Sequence, residues 1–183
     1  MALGTISAVV VALSVGKRQV KAALDAVEHS HLLEEKARQE DILAVAEAGY
    51  KHSEMVRAIF TVAEPARSSR LFNEYHVVTT NVIVDALERI PAHELGLAEG
   101  IPALLRLRFR FPILRQAIEE YGSVGIIDSF TSPETVLQRR SAKAEAQDVH
   151  AKNVFTQLDV IRDDYRELMK AFQAAWDDRL GSA

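Results

Sequence analysis

Residues 153–172 read NVFTQLDVIRDDYRELMKAF. Val154, Leu158, Ile161, Tyr165, Leu168 and Phe172 step by 4, 3, 4, 3 and 4. A helix of about 3.6 residues per turn returns each of them to one side, and the charged Asp159, Arg162, Asp163 and Arg166 then take the others. A strand would scatter the six over both of its faces, because its side chains alternate. The seam therefore predicts a helix that packs on other helices, as internal core in preference to a dimer interface. Upstream, Ser132 is placed to cap a helix, Pro133 to open it and Glu134 to favour its first turn. No glycine or proline follows until Gly181, so a helix of more than forty residues is available.

Working outward, the rest of the chain agrees with that reading. Its 183 residues suffice for one core, and 48% hydrophobic with 26% charged residues is ordinary globular composition. Only eight glycines and five prolines interrupt a sequence rich in strong helix formers. The expectation is an all-α bundle of about five or six helices, with a hydrophobic N-terminal helix and a long C-terminal one. The net charge of −4 argues against general nucleic-acid binding, and the absence of cysteine excludes disulfides and thiolate ligands or nucleophiles.

The opening residues 2–16, ALGTISAVVVALSVG, carry no charge, and Lys17, Arg18 and Lys21 follow at once. Leu3, Ile6, Val9, Val10, Val11, Leu13 and Val15 favour lipid, and Val9 to Val11 with their neighbours cover all sides of a helix. At about 1.5 Å per residue the run is roughly 22 Å long, against roughly 30 Å of hydrocarbon. A cleaved signal fits poorly, since the cations come after the run. The reading adopted is a short membrane anchor over 1–16 and a cytoplasmic helical domain over 17–183, with a buried core helix in a soluble cytoplasmic protein as the alternative. Mismatch with the bilayer would favour self-association.

Between the two ends, Val20, Leu24 and Val27 share a helical face, which returns at Ile42 and Val45 after a charged stretch, and Gly49 is a place to end or bend it. EPARSSR (64–70) reads as a linker, with Ser68 or Ser69 as the cap of one helix running to Ile90. VVTTNVIV (77–84) is β-branched enough to leave a strand open. Pro112 is expected to kink or split the helix that begins near Pro102, and GSVGIIDSFTS (122–132) reads as a loop with Ile126, Ile127 and Phe130 as an apolar plug.

Few residues point to chemistry. Glu28 and His31 have the Glu-x-x-His spacing of carboxylate-bridged metal bundles, but a di-metal site needs two such motifs and two further glutamates. Nucleophile elbows and phosphate-binding loops are absent from the sequence, so no cofactor is expected. The basic stretch LLRLRFRFPILR (104–115) sets Arg106, Arg108, Arg110 and Arg115 among Leu105, Leu107, Phe109 and Phe111. With Lys17, Arg18 and Lys21 these arginines are candidates for anionic lipid or a phosphate ligand, against the plainer alternative of pairing with acidic residues of other helices. The function expected is a non-catalytic, membrane-tethered helical assembly module with a second copy or another protein as partner. The alternatives are a soluble phosphate-ligand or nucleic-acid binder using the arginines, a pore-forming effector, and a metal enzyme at Glu28 and His31.

Overall fold

The computed structural model describes the backbone of residues 2–124 and 133–181, and the side chains of 16–93, 95–124 and 141–177. Every regular element among them is helical. The order is α1 (Ala2–Thr61), α2 (Ala66–Glu74), α3 (Val77–Arg89), a 3-10 turn (Ala92–Leu95), α4 (Ile101–Ser123) and α5 (Pro133–Gly181). The chain divides into two compact units, Met1–Asp41 and Ile42–Ala183. The first is helix α1 alone up to Asp41. The second holds the last part of α1 and all the other elements.

The core of the second unit is built around α4. Its Leu104, Leu107, Phe111, Leu114 and Ile118 are buried at steps of 3 and 4, the period that keeps one helical side inward. Helix α5 lies along α4 and contributes Val154, Leu158, Ile161, Leu168 and Phe172, all without solvent exposure, while Tyr165 is half-buried and stacks on Tyr50 of α1 at 4.4 Å. Helix α3 packs on α4 through Ile83, Val84 and Leu87, and α1 adds Ile42, Ala46, Val56, Ile59 and Phe60. The Phe60 ring meets Tyr121 edge-on at 4.9 Å and Phe155 at 6.3 Å. Such pairs are worth about 0.5–1.5 kcal/mol beyond the area they bury.

Several local expectations change. Gly49 neither ends nor bends α1 into two elements; it lets α3 and α4 come close. A Cβ there would lie 2.9 Å from Phe111 Cζ and 3.3 Å from Ile83 Cγ2. The stretch expected as one helix to Ile90 is two, because Tyr75 and His76 are extended between α2 and α3. Pro65 occupies the position before α2, which has no side-chain cap, so neither Ser68 nor Ser69 caps it. The β-branched stretch 77–84 is helical, its Thr80, Ile83 and Val84 buried, and packing overrides propensity there. Pro112 does not split α4. It forfeits one backbone bond, a local cost of about 3 kcal/mol, which the buried side chains before and after it offset. Ser132 and the Ile126–Ile127–Phe130 plug lie outside the described residues.

Candidate functional site

The basic stretch is helical, so its four arginines distribute around α4 instead of sharing one face of a strand. Arg106 donates from Nε to Asp164 and from Nη2 to Glu167, both on α5. Asp164 is only 5% exposed, and a carboxylate so buried is costly without a charged partner. Arg115 donates from Nη1 to Asn81 Oδ1 of α3 at 2.8 Å, with Glu119 3.7 Å from its Nε. These two arginines tie helices together. Arg108 and Arg110 form no ion pair among the described residues, and Arg108 Nε and Nη2 are buried without a hydrogen-bond partner. That pair of N–H groups is the edge that grips two acceptor oxygens at once. Arg70 uses it on Glu74, at 2.7 and 2.8 Å.

In the first unit, Lys17, Arg18, Lys21, Glu28 and His31 are all exposed. Glu28 and His31 lie on one side of α1 with Leu24, Val27, Leu32 and Glu35. Among the described residues no group of three or more His, Asp or Glu side chains is placed to hold a metal. Among them, too, no helix is long and apolar enough to cross a membrane. The side chains of Leu3, Ile6, Val9, Val10, Val11, Leu13 and Val15 lie outside the described residues.

One buried polar cluster was not legible in the sequence. His52 of α1 places Nε2 2.8 Å from Thr80 Oγ1 of α3, and Thr80 donates onward to the Tyr75 hydroxyl at 3.0 Å. Each hydroxyl has one hydrogen to give, so the tautomer of His52 and the direction of the Thr80–Tyr75 bond are set together. Burial lowers the His52 pKa below the ordinary 6.5 and raises that of the Tyr75 phenol. The cluster fixes α1 against α3. Its signal was present but faint: Ser53, Val56 and Phe60 form a buried stripe and His52 precedes Val56 by four residues. Asp164 likewise sits three after Ile161 and four before Leu168, on the buried side of α5.

Comparison with known proteins gives no relative: no protein-family model matches the chain, and no curated protein or solved structure does.

Proposed function

We propose that the chain is a non-catalytic helical assembly module, tethered to a membrane by its first helical run and self-associating along the apolar side of α1. The observation that carries it is the exposure of Val20, Leu24 and Val27, at 61%, 63% and 55%, on one side of a helix with no other element in its unit. Burying the remaining exposed surface of such a side chain is worth roughly 1 kcal/mol. Six of them in a symmetric pair give about 6 kcal/mol, near the lower end of the roughly 4–15 kcal/mol that association costs. Pairing is therefore weak between free chains and effective when a membrane concentrates them. The tether is supported by the uncharged run 2–16 and the exposed Lys17, Arg18 and Lys21 behind it, which would stay in the cytoplasm.

Fractionation of the full-length chain with an alkaline carbonate wash, followed by crosslinking of the washed membranes, tests both parts. The expected result is retention in the pellet and a crosslinked dimer that Leu24→Lys abolishes. Release into the wash sinks the tether, and a monomer in the pellet sinks the assembly. A second reading, a soluble helical domain that binds a phosphate-bearing ligand or nucleic acid through the arginines of α4, is favoured by Arg108 and Arg110, which have no ion pair among the described residues. Its mark would be binding that weakens steeply with salt.

A further inference from the structure

Opposite the buried side of α4, Leu105, Phe109 and Ile113 follow one another at steps of four, with 38%, 73% and 39% of their surface exposed. Eight helical rises, from Leu105 to Ile113, make this strip about 12 Å long. No aromatic contact engages Phe109 among the described residues. Arginines flank the strip on both sides: Arg106 and Arg110 toward α5, Arg108 and Arg115 toward α3. Between Ile101 and Ile118 the helix carries no acidic residue. Arg106 and Arg115 are engaged, whereas Arg108 and Arg110 have no ion pair among the described residues.

We propose that this face of α4 docks on an anionic lipid surface. Leu105, Phe109 and Ile113 settle at the boundary between headgroups and acyl chains, Arg110, whose stem runs beside them, holds a lipid phosphate, and Arg108 adds positive charge. Arg108 acts here through its charge, since its Nε and Nη2 are themselves buried. Three features select lipid over other partners. Arg108 and Arg110 have no carboxylate partner among the described residues, and the helix carries none between Ile101 and Ile118, so the face is complementary to an anionic surface. The strip is far smaller than the roughly 800 Å² per partner of a stable protein interface. Two of its three apolar side chains are aliphatic and have no ring on which a base could stack. The proposal concerns the second unit alone and does not rest on the tether.

The absence of cysteine makes the test direct. Phe109→Cys in the full-length chain takes an environment-sensitive fluorophore at that position only, and Lys152→Cys, on an exposed stretch of α5, serves as the control. Vesicles of phosphatidylcholine containing phosphatidylglycerol should raise the emission at 109 severalfold and leave that at 152 unchanged, while pure phosphatidylcholine should do neither. Arg110→Gln should weaken the response about fivefold, and Arg108→Gln with Arg110→Gln about thirtyfold. Circular dichroism verifies that each variant is folded, and the single Arg110→Gln change decides alone if the double variant is not. Co-flotation of the protein with vesicles, without any rise at 109, overturns the proposal and leaves the tether standing. An equal rise with neutral vesicles overturns it as well. So does a rise with inositol hexakisphosphate or RNA in place of vesicles. A salt-sensitive rise at 109 in protein that carbonate removes from membranes supports it and removes the tether.

Discussion

Gly49 is where a single atom decides how three helices meet. Helix propensity favours alanine over glycine by about 0.8–1.0 kcal/mol. The added Cβ would press on the Phe111 ring at 2.9 Å and the Ile83 methyl at 3.3 Å, and overpacking of that kind costs about 1–3 kcal/mol. Gly49→Ala is therefore expected to destabilise, lowering the urea midpoint without changing its slope. At His52 the consequence is pH dependence. Its folded pKa lies below the unfolded 6.5, so the unfolded chain binds the proton more readily. The neutral side chain's contribution is fully present above that value and is lost as pH falls through the folded pKa. Melting temperatures measured from pH 8 down to 5 should fall more in the wild type than in His52→Asn; equal slopes would remove His52 as the cause. Asp164 gives a paired test. Arg106→Met leaves a carboxylate 5% exposed without its cation and should cost about 3 kcal/mol, while adding Asp164→Asn should recover much of the loss.

Among the elements, α5 carries the most legible signal and much of the core. Leu158 has no exposure, and Leu158→Ala is expected to cost about 2–5 kcal/mol in chemical denaturation, the range for emptying a packed site. The helical class and the long last helix could be read because periodicity is a property of neighbouring residues. The break at Tyr75 and His76 could not, since there Tyr75 meets Thr80 and the His52 ring, residues of other elements. The arginines of α4 illustrate the same limit. Their spacing was plain, but which were engaged depended on Asn81, 34 positions away, and Asp164, 58 away. Only the half-buried Arg108 and Arg110, which have no ion pair among the described residues, stay candidates for an outside partner.

For the molecule as a whole, the division at Asp41 and Ile42 assigns all of the packed apolar core to the second unit. A fragment of residues 42–183 is expected to unfold cooperatively at nearly the melting temperature of the full chain, and loss of that transition would show that the first unit is needed for stability. The ion pair between Arg57 and Asp159 spans 102 positions, and Phe60 packs on Phe155 beside it. The chain is made from one end at about 5–20 residues per second, so the apolar side of α1 is synthesised about 5–20 s before α5 exists to cover it. During that interval the nascent chain offers Val56, Ile59 and Phe60 to whatever it meets, and a ribosome stalled before residue 150 should hold a species that holdase chaperones bind and proteases clear.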